Sequence, residues 1–521
     1  MDDMTVKIHF PKHNTHVTAK EGDTLLDAIR SAGLPIEAVC SGHGVCGKCL
    51  VIVNGEEKLA CNTPAEDGMH VELLSSHDGL EILTDHSGGG KSASLSAPES
   101  LPEQEGTRPR RTAIAIDIGT TTVVIKALDP DSGIETGIRA FTNPQRIFGA
   151  DVLSRINHSM DDASELSKLI RESVDAAIKD IIAGDTLATK QSTIEKIVIA
   201  GNTTMMYLLL NLRCRSLGLV PFEPEYNLSP SYSYKEVFET ETLSCPVILY
   251  PYISAFVGGD IVSGMVNIER HMETGENPSF ILVDMGTNGE IAYRNGGRLI
   301  TTSTAAGPAL EGGNITCGMS GLPGAIYEAV YEGEGRFSCK TIGGRKAAGI
   351  CGSGVISIAA VLLDAGLINE TGAFTDEAER LAESQYPDSN MKQFNITEDI
   401  IFTQKDVREF QLAKGAVRAG IDIVIEEMGA LPDRLYLAGG FGQNIDLESA
   451  FRVGLIPKEL KGKIQFAGNT ALGGCVDLCM DDPSSSPMDA LPLMAAAEEI
   501  NLGSHRRFND KFMETMMFEE L

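Results

Sequence analysis

Four cysteines near the N-terminus have types and spacing that can do redox chemistry. Three lie in Cys40-Ser-Gly-His-Gly-Val-Cys46-Gly-Lys-Cys49, and Cys61 follows one short strand-turn-strand later. Thiolates at C-x5-C-x2-C, with a fourth further on, can wrap one small iron–sulfur cluster, and the intervening glycines let the loop close tightly around inorganic sulfur. Structural zinc is the competing chemistry. Zinc favours paired C-x2-C knuckles, whereas the first gap here is five residues long and rich in glycine, so a 2Fe–2S cluster on Cys40, Cys46, Cys49 and Cys61 is the expectation. His43 lies in the same loop, but four cysteines already fill the site, so it is read as solvent-facing. A second chemistry is written twice. Asp117-Ile118-Gly119-Thr120-Thr121-Thr122 and Asp284-Met285-Gly286-Thr287-Asn288-Gly289 each follow a buried apolar strand. Glycine lets backbone N–H groups approach phosphate oxygens, threonine hydroxyls add donors, and an aspartate at a strand end can hold Mg²⁺ or orient an attacking water.

The elements that must position these residues fall into four stretches. Within 1–85, Val6, Ile8 and Phe10 alternate as on a half-buried strand, and a second strand is predicted around His16–Ala19. Asp23 is read as the cap of a helix carrying Leu25, Leu26, Ile29 and Leu34. After the cysteine loop, Leu50–Val53 reads as a strand, Asn54-Gly55 as a hairpin turn and Lys58–Cys61 as the return strand, with Val71–Leu74 closing the sheet. This order resembles a β-grasp ferredoxin. Residues 86–111 turn Gly-, Ser-, Pro- and Glu-rich and read as a flexible linker, whose r.m.s. span would be roughly 25–30 Å. From Thr112 the pattern is α/β. The recurrence of strand-Asp-x-Gly-Thr 167 residues apart is a duplication at domain scale, dividing the rest into 112–275 and 276–521. Asp406–Met428 reads as a long helix stopped by Gly429, followed by strand Leu435–Ala438 and a Gly439-Gly440 turn. Residues 369–400 read as a polar surface excursion.

The totals bound the function. A chain of 521 residues holds two to four domains, and its formal charge of −30 argues against nucleic acid or an anionic membrane as partner. The N-terminus lacks a basic stretch followed by an apolar one, and no apolar run reaches membrane-spanning length. Four of eleven cysteines cluster as ligands and the rest scatter, as suits a reducing cytoplasm. Cys475 and Cys479 are spaced for one helical face and read as small core residues rather than ligands. Asp260, in Phe256-Val-Gly-Gly-Asp260, either assists the phosphate site or caps a helix.

Two phosphate turns in duplicated strands, with a Gly-Gly turn after a third, resemble the phosphate-1, phosphate-2 and adenosine motifs of the actin, sugar-kinase and heat-shock-chaperone ATPases. The resemblance implies a duplicated RNase H-like, actin-type ATPase fold. In it Asp117 and Asp284 would serve Mg²⁺ and water. Gly119, Thr120, Thr121 and Thr122, with Gly286, Thr287, Asn288 and Gly289, would grip the phosphates of ATP. Gly439 and Gly440 would pass beneath adenosine. The fold class expected is thus multidomain, α+β in the ferredoxin part and α/β in the ATPase part.

The whole chain resembles the reductive activators of corrinoid-dependent methyltransferase systems. The resemblance is carried by Cys40–Cys49 with Ala60–Pro64, Ile116–Thr122, Ala200–Met205, Phe256–Gly264, Val283–Glu290, Ser303–Gly313, Gly349–Gly354 and Tyr436–Gly442. It implies an ATP-hydrolysing electron-transfer enzyme that passes one electron from its cluster to Co(II) of a corrinoid protein, giving Co(I). It also implies a low-potential electron donor and, by analogy, a homodimer. The Gly-rich stretches 305–313 and 349–354 are expected to line the cleft or face a partner. Three rival readings remain at this stage. One is an activator of a 2-hydroxyacyl-CoA dehydratase, which would carry a 4Fe–4S cluster between subunits on cysteines of the ATPase body. Another is a metabolite kinase joined to a ferredoxin, and the third is an electron-transfer module with a decayed ATPase half.

Overall fold

The computed structural model describes residues 5–11, 15–20, 22–32, 34, 49–73, 111–149, 151–184, 193–272, 278–286, 288–385, 393–439, 445–482 and 497–519. The linker expected at 86–111 lies outside these apart from Arg111, as do Cys40, His43, Cys46, Thr287 and Gly440.

The N-terminal unit opens with β1 (Thr5–Phe10) and β2 (Thr15–Lys20), an antiparallel hairpin that puts Ile8, Phe10, Val17 and Ala19 inside. Helix Leu25–Ser31 follows. Its cap differs from the expectation: Thr24, not Asp23, forms a reciprocal box, with Thr24 N donating to Asp27 Oδ2 at 3.1 Å and Asp27 N donating to Thr24 Oγ1 at 3.2 Å. Asp23 turns back to accept from Lys20 N at 3.0 Å. Next come β3 (Leu50–Val53), β4 (Glu56–Leu59) and β5 (Val71–Leu73), with β3 central and antiparallel to both neighbours. The return strand stops at Leu59, because Ala60–Asn62 coils into a 3₁₀ turn that buries Cys61.

The remainder is two lobes, each centred on a six-stranded sheet. The first contains β6 (Arg111–Ile118), β7 (Thr122–Leu128), β8 (Glu135–Thr142), β9 (Thr193–Gly201), β10 (Ser231–Ser233) and β11 (Pro246–Leu249) in the order β10-β11-β9-β6-β7-β8. The second begins with β12 (Phe280–Met285), β13 (Gly289–Asn295) and β14 (Arg298–Thr304). A side layer follows, of β15 (Ala325–Gly333), β16 (Arg336–Thr341) and β17 (Gly349–Ile350), then a hairpin of β18 (Gln393–Asn395) and β19 (Ile401–Thr403). The sheet is completed by β20 (Arg434–Ala438), β21 (Ile464–Gly468) and β22 (Ala497–Glu499), in the order β21-β20-β12-β13-β14-β22.

The duplication inferred from the two turns is visible in the pairing. In each lobe a three-stranded antiparallel meander (β6-β7-β8, β12-β13-β14) carries a parallel strand on its first member, β9 on β6 and β20 on β12, and a further parallel strand beyond that. Strands β6 and β12 are buried on both faces, which is why they read as continuous apolar runs. The chain is therefore a multidomain α+β and α/β protein with a ferredoxin-like unit and a duplicated ATPase-type body.

The lobes meet through helices Gly259–Arg270 and Thr470–Met480. Small residues allow the close crossing: a Cβ on Gly474 would lie 2.2 Å from Ser263 O, and one on Gly473 would lie 2.7 Å from the Asn267 amide. Cys475 and Cys479 are buried in this seam, as core residues. Helix Gln404–Met428 starts two residues earlier than the sequence suggested and ends with Gly429 at φ +76°. The stretch 369–400 is more than a polar excursion. It holds helix Asp376–Gln385 and buries Phe374, Ala378, Phe394, Ile396 and Ile400, whose wide spacing hid any period.

Candidate cluster and nucleotide sites

Two of the four expected cluster ligands fall within the described residues, and they converge. Cys49 and Cys61 are both buried, with their Sγ atoms 3.2 Å apart. Cys49 N-terminal to β3 and Cys61 in the 3₁₀ turn after β4 are brought together by the Leu50↔Leu59 register, helped by Ala60 N donating to Cys49 O at 2.8 Å. Two thiols converging in an apolar pocket fit a shared metal centre. Cys40 and Cys46 lie outside the described residues.

Each of the two candidate phosphate turns is closed by a backbone hydrogen bond from its glycine. Gly119 N donates to Thr122 O and Gly286 N to Asn288 O, each at 2.9 Å. The first turn is also braced from behind. Asn143 donates to Gly119 O from Nδ2 at 2.8 Å and to Thr121 O from its backbone N at 2.9 Å. Asn202 caps helix Thr203–Leu209 through Met205 N and uses its Nδ2 to reach Thr120 Oγ1 at 3.0 Å. Glycine is obligatory at 119 and 201, where a Cβ would fall 2.8 Å from Thr122 O and 2.7 Å from Ile118 O.

Asp117 and Asp284 stand at the ends of β6 and β12 and feel each other across the cleft. Burial raises Asp117 to about 7, with the Asp260 charge adding to it and a hydrogen bond from Asn469 Nδ2 (2.8 Å) opposing. Burial also raises Asp284 to about 7, with Asp260, Asp117 and Glu311 contributing. Asp260 rises to about 6 through burial, and Glu290 is pushed well above the carboxylate range by burial and then by Asp260 and Asp284. Five carboxyl groups therefore gather here: the Asp260 charge raises Asp117, the charges of Asp260, Asp117 and Glu311 raise Asp284, and those of Asp260 and Asp284 raise Glu290. Asp260 is not the helix cap, since Gly258 holds that position in helix Gly259–Arg270 with no side-chain cap hydrogen bond; it lies in the first turn, and its charge acts on Asp117 and Asp284.

Glu290, Asn469 and Glu311 were missed by sequence reasoning as cleft residues. Glu290 had a usable signal, since the β12–β13 register pairs it with Asp284. Asn469 had none, because it reaches the cleft from a distant segment, whereas Glu311 lies in the 305–313 stretch expected at the cleft or a partner face, though it was not singled out. Glu311 puts the 305–313 stretch at the cleft: a Cβ on Gly286 would lie 3.5 Å from its Oε1. Gly354, in contrast, packs beneath β15, where a Cβ would be 2.1 Å from Ile326 O. Gly439 has φ +87° and donates to Gly468 O at 3.1 Å; a Cβ there would lie 2.6 Å from Asp284 Oδ1.

Among the described residues no three His, Cys, Asp or Glu side chains form a closed metal cage. Mg²⁺ takes one or two carboxylates and completes its shell with water and phosphate oxygens, and Asp117 and Asp284 offer such a pair. The donor set fits a nucleotide-borne Mg²⁺. Nor is any helix among the described residues long and apolar enough to cross a membrane.

Three family models match in succession: a 2Fe–2S iron–sulfur cluster binding domain over residues 5–76, the RACo middle region over 112–273, and the C-terminal domain of RACo, the ASKHA domain, over 279–521. The chain belongs to the RACo family. Among its relatives, the corrinoid activation enzyme RamQ of Eubacterium limosum is 29% identical, with 98% of this chain and 99% of that protein covered. The [Co(II) methylated amine-specific corrinoid protein] reductase of Methanosarcina barkeri is 26% identical over 77% of this chain and 76% of its own length. A solved structure described as a reductive activator for corrinoid, iron–sulfur protein is 25% identical, covers 98% of both chains and superposes with a TM-score of 0.69. The kinship thus runs through all three matched segments, not through the ATPase-type body alone.

Proposed function

We propose that this chain is an ATP-dependent reductive activator. It accepts an electron from a low-potential donor and delivers it to an inactive Co(II) corrinoid protein, restoring Co(I), with Mg²⁺–ATP bound in the interlobe cleft. The observation that carries this reading is the joining, in one chain matching activators end to end, of a converging thiol pair in a ferredoxin-type unit with a duplicated, carboxylate-lined cleft. A metabolite kinase would have no use for the thiol unit.

In this proposal Cys40, Cys46, Cys49 and Cys61 hold the cluster, which when bound supplies a one-electron carrier. Ala60 N fixes Cys49 relative to Cys61, and the apolar surroundings of β3 and β5 exclude water. The turns Gly119–Thr122 and Gly286–Gly289 receive the phosphates, and Asp117 and Asp284 take Mg²⁺ and position water. Gly439, against Asp284, keeps the nucleotide path open.

The energetic need is modest. Plant-type clusters sit near −400 mV, and for one electron each 59 mV uphill costs about 1.4 kcal/mol. A gap on the order of 100 mV therefore needs roughly 2–3 kcal/mol, which differential affinity of nucleotide for two lobe arrangements can supply. The cytoplasm is the expected compartment, and a homodimer the expected assembly.

The test is anaerobic absorption spectroscopy of the reduced protein mixed with a Co(II) corrinoid protein, with and without ATP. The expected result is growth of the Co(I) band only with ATP. Cluster reduction with no ATP effect on cobalt, across several corrinoid proteins, would refute the proposal.

A further inference from the structure

Arg155, in helix Val152–His158, is among the largest fully buried side chains of the protein, with no exposed surface. A buried guanidinium normally sits on a carboxylate, because an unpaired buried charge is costly. Here its Nη2 donates to Thr120 O at 2.5 Å and its Nε to Gly149 O at 3.0 Å, while Nη1 lies 3.5 Å from Gln145 Oε1 and 3.3 Å from Met205 Sδ. Every one of these acceptors is neutral.

Asp151, whose charge acts on Arg155, is committed elsewhere: its carboxylate accepts from Ser154 N at 2.7 Å and Ser154 Oγ at 2.9 Å. The larger charge effect on it comes from a second cation, Arg146. Burial, followed by that neighbour, pushes Arg155 down to about 9, with Asp151 opposing, so the group is charged near neutrality. The outcome is a desolvated positive charge immediately behind the turn Gly119–Thr122, touching its second residue.

We propose that Arg155 is a positioning residue for the nucleotide's phosphates. Its hydrogen bond draws the Thr120 carbonyl inward, leaving the N–H side of the turn facing the cleft. Among the described residues its charge has no carboxylate partner, and a polyphosphate settling on the other side of the turn would supply the balancing charge. In a cleft that otherwise gathers five carboxyl groups, this cation offsets the repulsion that phosphates would meet. The inference rests on the nucleotide reading of the cleft.

The test compares wild type, Arg155→Gln and Arg155→Lys by calorimetric binding of ATP, ADP and adenosine, with the visible cluster absorption and the melting curve recorded for each. For Arg155→Gln, ATP and ADP should weaken about tenfold or more, the scale of a charge-assisted hydrogen bond, while adenosine stays within about twofold. Arg155→Lys keeps the charge and should retain most of the ATP-over-adenosine preference. Unaltered ATP affinity in the Gln variant would overturn the inference. So would parallel losses for ATP and adenosine in both variants, which is the signature of a scaffold role. Should the Gln variant not fold, the Lys variant decides alone: a collapsed ATP-over-adenosine ratio would overturn the inference. If wild type bound neither ATP nor ADP, the nucleotide reading itself would fail, an outcome distinct from failure of the Arg155 role.

Discussion

Loading the cleft should release protons, and the amount can be worked from the structure. Asp117 and Asp284 are each raised to about 7, and Asp260 to about 6, mainly because burial penalises their ionised forms. A cation favours those ionised forms, so Mg²⁺–ATP binding must expel whatever protons they hold. At pH 7 the two raised aspartates are each about half protonated and should release about one proton together; at pH 8 this falls to about 0.2, and at pH 6, with Asp260 joining, it rises to about two. The slope of log affinity against pH equals that proton count, so affinity should climb roughly a hundredfold from pH 6 to pH 8. The stability sign is fixed by the same shifts. These carboxyls have folded pKa values above their unfolded ones, so the free protein binds more protons folded than unfolded between about 4 and 7 and loses stability as pH rises through that window. Bound cation offsets that loss, so the melting shift on adding Mg²⁺–ATP should be larger at pH 8 than at pH 6. Calorimetry in buffers of different ionisation enthalpy measures the proton count directly. The nucleotide's own titration is common to wild type and Asp284→Asn, and the variant should release about half a proton less at pH 7. Equal release by both proteins, with affinity flat from pH 6 to 8, would refute the reasoning.

Two further outcomes separate the units. Cys61→Ala removes one of the two converging thiols and should abolish the visible cluster absorption while ATP affinity stays unchanged; joint loss of both would mean the ferredoxin-type unit and the cleft are not independent. Gly439→Ala adds a Cβ at a φ of +87° and 2.6 Å from Asp284 Oδ1, so the turn must shift. The left-handed backbone alone costs an L-residue roughly 1–2 kcal/mol, and ATP turnover should drop with the cluster spectrum intact, as a steady-state phosphate-release assay would show.

What the sequence made legible was local chemistry placed on strong apolar strands. The Asp-x-Gly-Thr turns at 117 and 284 announced themselves because β6 and β12 are buried on both faces and end abruptly. The duplication followed from their recurrence, and the two meanders with their parallel third strand have the same pairing. Contacts assembled over long sequence distances were hidden. Asn469 meets Asp117 across 352 residues, and although the 305–313 loop was expected at the cleft or a partner face, nothing in it singled out Glu311. Arg155 sits on the short helix Val152–His158, which carries no motif; only the fold over it removes the guanidinium from water. The helix within 369–400 escaped because it is mostly polar and, among its described side chains, only Ala378 is fully buried, so no apolar stripe marks it.

Asn469 shows how cleft occupancy can reach the lobe seam. It belongs to the second lobe, where its Oδ1 accepts from Leu472 N at 2.8 Å and starts helix Thr470–Met480. Its Nδ2 donates to Asp117 Oδ2 in the first lobe. A cation held by Asp117, as proposed above, would compete for the oxygen that Asn469 holds, and loading the cleft would then reorient Asn469 or pull the helix start with it. That helix is anchored to the first lobe along its length. Tyr250 Oη donates to Gly474 O at 2.8 Å, Cys475 Sγ to Ile116 O at 3.5 Å, and buried Lys196 Nζ to Leu478 O at 2.7 Å and Asp481 O at 2.9 Å. The glycine contacts at 473 and 474 leave no slack for the helix to tilt on its own. A displacement at Asn469 is therefore passed to both lobes rather than absorbed, because a packed seam is far less deformable than a loop. The chemistry of one carboxylate is thereby tied to the relative placement of two lobes, which is the differential contact that nucleotide-driven electron delivery requires.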